Sequence, residues 1–134
     1  MSARTYPAVV LEVHDGDTIR VLLDRGGDDY WRTWLRLLGG NAIELADPGG
    51  QEARLHLAQL VGPVLAVTAT DLWKMPAQVV SASWDKFGGR IDGYLSVPGV
   101  GDVSTRMIRD GYMAPWDGRG PRPLPAWPIP TVNS

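Results

Sequence analysis

The sequence predicts a mainly-β α+β fold: five short strands forming a small barrel, one central helix, one short late helix and a proline-rich C-terminal tail. Three observations predict it. Glycine and proline are abundant, 16 and 11 of 134 residues, and divide the chain into short elements. Near the N-terminus, apolar and polar residues alternate over three consecutive stretches, the period of a half-buried strand. Gln51 to Val61 is the best helix candidate, with apolar residues at helical spacing.

Ala8 to Val13 alternates and reads as the first strand. The Asp15-Gly16-Asp17 turn follows, and Thr18 to Leu23 resumes with Ile19, Val21 and Leu23 on one face. The polar loop Asp24 to Asp29 leads into a third strand, Tyr30 to Leu38. Period two sets Leu35 and Leu37 on one face, and Arg32, Trp34 and Arg36 on the other. Asp47-Pro48-Gly49-Gly50 breaks the chain before the helix, whose stripe is Ala53, Leu57, Leu60 and Val61, and Gly62-Pro63 stops it. Val64 to Thr70 reads as strand-rich, Asp71 to Gln78 as loop, and Val79 to Trp84 and Arg90 to Val97 as strands. Asp102 or Ser104 caps a short helix ending at Gly111, with Met107 and Ile108 inward. Five strands with a helix between the third and fourth match the partly open barrel of the OB type. The long central helix argues against an immunoglobulin-like sandwich. Residues 1–116 form this domain, and 117–134 are an extended Gly/Pro-rich tail without a core of its own.

The net charge of −2 argues against a broad basic surface that grips duplex nucleic acid non-specifically. Of thirteen basic residues only Lys74 and Lys86 are lysine. The other eleven are arginine, whose planar fork grips a phosphate bidentately. With no cysteine, disulfides and thiolate metal sites are excluded, which fits a reducing compartment. The N-terminus lacks a signal-peptide pattern, because Glu12 interrupts the apolar run after Pro7, and no stretch approaches a membrane span. A cytoplasmic or virion-associated protein without a membrane partner is the expectation.

The chemistry-bearing residues concentrate in two stretches. Arg36 ends an aromatic and aliphatic run, a glycine corner follows at Gly39-Gly40, and Asn41, Ala42, Ile43 and Glu44 complete the segment. Upstream, Asp15 and Asp17 bracket Gly16 in a turn. An arginine, a separate glutamate and a turn aspartate are the pieces a phosphodiesterase site needs. Each has an ordinary alternative: turn former for the aspartates, ion pair for the strand arginine, solvated loop carboxylate for Glu44. His14 and His56 are expected to be incidental, and the six tryptophans mostly packing residues.

Five segments stand out along the chain: Asp15-Gly16-Asp17-Thr18-Ile19, Arg36-Leu37-Leu38-Gly39 through Glu44, Gly50, Glu52 and Ala53 with the helical leucines, Asp85 to Arg90, and Met107-Ile108 with Gly111. In their order and separations they resemble the staphylococcal (thermonuclease-like) nuclease family. The resemblance runs from about Val9 to Trp116. The resemblance implies a Ca²⁺-dependent nuclease acting on single-stranded DNA and RNA. It implies Asp17 as metal carboxylate, with Asn41 and the Ala42 carbonyl as further ligands. Arg36 and Arg90 would be phosphate clamps, and Glu44 would orient or deprotonate the attacking water. Phe87 stands at the family's tyrosine, and Trp116 is a candidate base-stacking residue.

The departures are specific. Asn41 keeps a carbonyl oxygen but removes a negative charge, which weakens calcium binding. Ile43 replaces a proline before the glutamate. Gly89 inserts before Arg90, so either Gly89 or Arg90 takes the second arginine position; in the latter case Asp92 falls where a leucine is common. Two other readings therefore stand beside the nuclease. One is a catalytically weakened module serving assembly, with the Pro-rich tail and its Trp127 docking on a protein partner. The other is a single-strand binder that does not hydrolyse. The chain's style also resembles small phage-encoded proteins, which implies a phage or virion setting.

Overall fold

The computed structural model describes residues 4–67, 74–84 and 89–130. Among the described residues eight strands and two α-helices run in the order β1 (Arg4–Asp15), β2 (Thr18–Asp24), β3 (Tyr30–Leu37), β4 (Gly40–Ala42), α1 (Gly50–Leu60), β5 (Ala77–Trp84), β6 (Arg90–Val97), β7 (Gly101–Asp102), α2 (Val103–Arg109) and β8 (Met113–Pro115). The sheet order is β3-β2-β1-β5-β6, and a parallel pairing of β3 with β6 closes five strands into a barrel. This is the OB-type α+β architecture that the alternation and the central helix predict.

The meander β1-β2-β3 is antiparallel, as expected. β1 is longer than its alternating segment suggests, because it serves two neighbours in succession. Arg4–Ala8 pairs with β5, and Val9–Asp15 pairs with β2. Register shifts between Val10 and Glu12 and between Val13 and Asp15 bend it from one to the other. Ile19, Val21, Leu23, Leu35, Leu37, Ile91 and Leu95 fill the barrel with no exposed surface. Leu57 and Ala53 of α1 and Met107 of α2 close the core from outside the sheet. Asp102 caps α2, its carboxylate accepting from the Thr105 N–H at 2.9 Å.

Two expectations need correction. The described part of the stretch from Val64 is not a strand: Gly62–Val64 is a 3₁₀ turn with Pro63 in its first positions, and Leu65 forms an isolated bridge to Val10. Proline sets a helical φ there and removes a ladder donor, so the β-branched residues beside it do not decide the backbone. Thr68 to Thr70 lie outside the described residues. β5 begins at Ala77, earlier than Val79, because the first half of β1 supplies it with a partner edge.

Among the described residues the tail, which reaches Pro130, has no helix or strand after Pro115, but it packs. Pro123, Pro125, Trp127 and Ile129 are half-buried while the residues between them are exposed, a period-two contact of an extended strap against the barrel. Gly49, which precedes α1 in the left-handed region at φ 96°, makes this possible. A Cβ there would stand 2.7 Å from the Trp127 ring.

Candidate functional site

The β1–β2 turn is pressed against the molecule more tightly than any side chain would permit. A Cβ on Gly16 would meet the Cβ atoms of Ala42 and Ala53 at 2.6 and 2.8 Å. This approach seats Asp17 under β4 at 5% exposure. Its backbone carbonyl accepts from Leu37 N–H at 2.8 Å, tying the turn to the end of β3. One residue earlier on β3, Arg36 sits opposite Thr18 and is itself buried at 9% exposure.

Asp17, Arg36 and Asn41 form one buried cluster. Arg36 Nη2 lies 3.3 Å from Asp17 Oδ2 and donates to Asn41 Oδ1 at 3.1 Å. The Ala42 N–H donates to the same Asp17 oxygen at 3.0 Å, and the Thr18 hydroxyl donates to Oδ1 at 3.2 Å. Asn41 Nδ2 in turn donates to the Pro123 carbonyl at 2.9 Å, so the strap fixes which end of the amide faces Arg36. Burial pushes the Asp17 carboxyl up to about 6. Arg36 and the Ala42 N–H pull it down but only in part, and the neighbouring Asp15 pushes it further up.

The resemblance implies calcium, which takes six to eight oxygen ligands. The residues present do not fit it. Asp17 Oδ2 and Asn41 Oδ1 are already held by the Arg36 guanidinium, and Asp17 Oδ1 accepts from the Thr18 hydroxyl. Ala42 reaches the cluster through its N–H, a donor, where a carbonyl was expected. Among the described residues no three His, Cys, Asp or Glu side chains converge to hold a metal.

Beside this cluster, and sharing Arg36 with it, lies a cleft of about 540 Å³ lined by Arg36, Arg90 and Arg122 together with Asp92, Tyr94, Trp116 and Asp117. Arg90, not Gly89, is the residue that enters the cleft. Gly89 precedes β6 and its carbonyl accepts from Trp34 N–H at 3.1 Å. β6 then presents Arg90, Asp92 and Tyr94 on the cleft side, with Ile91 and Leu95 in the core. Arg90 Nε stands 3.4 Å from Asp92 Oδ1, and Arg122 Nη1 stands 3.8 Å from Glu44 Oε1. The Trp116 ring has Arg36 at 5.9 Å and Arg122 at 5.6 Å from its centroid, and its indole N–H donates to Arg119.

Of the residues singled out in the sequence, Asp17, Arg36, Asn41 and Ala42 come together, and Arg36, Arg90 and Trp116 share the cleft. Glu44 is exposed and pairs with the strap's Arg122. Phe87 lies outside the described residues. Sequence reasoning missed Arg122, Tyr94 and Pro123. The period-two register of β6 could have flagged Tyr94; nothing local marks Arg122 or the Pro123 carbonyl. His56 is not incidental to packing: it hydrogen-bonds Asp110 at 2.7 Å and stacks on Tyr112 at 4.2 Å, joining α1 to α2.

No protein-family model matches the chain, and no curated protein matches it in sequence. No helix among the described residues is long and apolar enough to cross a membrane.

Proposed function

We propose that the chain binds single-stranded nucleic acid in the cleft between β3, β6 and residues 116–122, and holds the strand without hydrolysing it. The observation that carries this reading is the convergence of Arg36, Arg90 and Arg122 with Tyr94 and Trp116 on one cleft. Guanidinium forks suit phosphate oxygens, and aromatic rings stack bases of any sequence. Arg90 and Arg122 are themselves exposed and stand 3.4 and 3.8 Å from their carboxylate partners, so these partners hold them weakly and a bidentate phosphate can displace them. Arg36 has a different role. Locked to Asp17 and Asn41, it supplies a fixed positive charge at the base of the cleft.

A second reading, the metal-dependent nuclease of the staphylococcal type, is favoured by the convergence of Asp17, Arg36 and Asn41. It requires Arg36 to release both oxygens, and a phage-encoded or assembly role would be built on the same fold. The two are separated by titrating a labelled twelve-nucleotide single strand by fluorescence anisotropy in EDTA, then running the strand on a denaturing gel after incubation with Ca²⁺. Binding in EDTA is expected. With two phosphates engaged it should weaken about five- to tenfold between 50 and 200 mM salt. Absence of binding in EDTA would refute the proposal, and cleavage that depends on Ca²⁺ would move the assignment to the nuclease.

A further inference from the structure

Asp92 is an odd residue to find in a cleft built for phosphate, and its bonding is incomplete. Among the described residues its Oδ1 is buried and has no hydrogen bond; the Arg90 guanidinium stands 3.4 Å away, outside hydrogen-bond geometry. Its Oδ2 accepts one long bond from the Ser83 hydroxyl at 3.4 Å. Opposite it across the β3–β6 ladder stands Arg36, nine-tenths buried, whose Nε also lacks a partner. An ionised carboxylate facing a polyanion repels it unless the ligand brings a hydrogen-bond donor.

The order of residues along β6 indicates which donor. Arg90, Asp92 and Tyr94 occupy alternate positions of one strand and enter the same cleft, roughly 7 Å apart in sequence order. They present a phosphate grip, a hydrogen-bond acceptor and an aromatic face. A nucleotide presents a phosphate, a sugar and a base in the same order. With phosphate on Arg90 and base on Tyr94, the group beside Asp92 is the sugar. We infer that Asp92 reads a ribose hydroxyl, so that the cleft selects ribonucleotide units over deoxyribonucleotide units. This rests on the single-strand reading above and names its substrate class.

The selection arises from an exchange of partners. When Arg90 turns to the phosphate, Asp92 Oδ1 loses the neighbour that shields it. A 2′-hydroxyl then donates to the carboxylate, while deoxyribose leaves it buried and unpaired. Carboxylates on strand ends bind ribose hydroxyls in the same manner in dinucleotide sites. Base-edge amines are the competing donors, but a base stacked on Tyr94 places its edge beyond the sugar from Arg90.

The experiment uses the full chain and four twelve-nucleotide strands of the same length and label: oligo(U), oligo(dU), 2′-fluoro oligo(U) and 2′-O-methyl oligo(U). The 2′-fluoro strand retains the ribose pucker but has no donor. Oligo(U) is expected to bind about tenfold tighter than oligo(dU) and 2′-fluoro oligo(U), and the 2′-O-methyl strand to bind as weakly as these. In Asp92→Leu the ratio should fall to about one, through tighter binding of oligo(dU) as the carboxylate is removed. Asp92→Ala, which does not test a larger side chain, should behave alike. Uridine monophosphate against its deoxy counterpart, read as competition, distinguishes recognition of a single nucleotide from that of a strand. Equal binding of all four strands would overturn the ribose inference while leaving single-strand binding intact. Equal binding of oligo(U) and its 2′-fluoro analogue, both above oligo(dU), would assign the preference to pucker and overturn it as well. Failure of every strand to bind would remove both.

Discussion

The inner cluster and the outer rim of the cleft use the same chemistry to opposite ends. Asp17, Arg36 and Asn41 are buried, linked through Arg36 at 3.3 and 3.1 Å, and sealed by the Pro123 carbonyl of the strap. Arg90 and Arg122 are exposed, and their partners, the half-buried Asp92 and the exposed Glu44, stand at 3.4 and 3.8 Å. A buried pair is strongly destabilised when one member is removed, because the other charge is left in a poor dielectric. An exposed pair is worth little and exchanges partners readily. The difference teaches that an arginine facing a cleft is not by itself a ligand clamp. The inner cluster holds the fold together at the base of the site, and the rim is where a ligand is taken up.

The largest effect should come from breaking the inner cluster. Arg36→Ala at pH 8 is expected to cost about 3–5 kcal/mol in urea unfolding, since it strands the Asp17 carboxylate. A loss under 1 kcal/mol would show that Arg36 is free to serve a ligand, and the contrast between cluster and rim would collapse.

Next comes the pH dependence. Burial raises the folded Asp17 to about 6, above its unfolded value of 3.8. The folded state therefore binds the extra proton, and the resulting stability is fully present below pH 4 and is lost as pH rises towards 6. Relative to Asp17→Asn, which cannot ionise, the native chain should lose roughly 2–3 kcal/mol between pH 4 and pH 7. Parallel stability curves for the two would contradict this. Asp110 runs the other way: burial alone would raise it, but the hydrogen bonds from His56 and Arg106 outweigh this and hold it below 3.8. Its contribution is present above the unfolded value and fades in acid.

Smaller again is the strap. Trp127→Ala should cost roughly 1–2 kcal/mol, below the range for a fully buried tryptophan because the ring is half-buried. It should also accelerate trypsin cleavage after Arg119, which reports the strap directly; an unchanged cleavage rate would mean that Trp127 does not hold it. The rim should respond least: Glu44→Gln is expected to change stability by under about 0.5 kcal/mol. Added Ca²⁺ at millimolar concentration should leave the unfolding midpoint where it is, because the oxygens it would need belong to Arg36. A rise that grows with Ca²⁺ concentration would show a site that the inner cluster conceals.

How much of this could be read from the chain follows from which interactions are local. The barrel strands were legible because alternation is a local record of which face is buried: Ile19, Val21, Leu35 and Leu37 all lie in the core as their period requires. The Asp102 cap and the Gly62-Pro63 stop are equally local. Asp17, Arg36, Asn41 and Ala42 lie together in the structure. Their roles were not legible, because whether an arginine pairs with an aspartate or faces a ligand depends on an approach set by Gly16 and Ala53, far apart in sequence. The strap was legible as extended but not as packed. Its period-two pattern of Pro123, Pro125, Trp127 and Ile129 signifies burial only once a surface exists to receive it.

The most direct measurement is a paired one on Arg90→Ala: urea unfolding beside anisotropy of a labelled single strand in EDTA. An unfolding free energy unchanged within about 0.5 kcal/mol, together with binding weakened about tenfold, is the predicted result. Unchanged binding in a normally folded variant would contradict the assignment of the rim as the place where the strand is held.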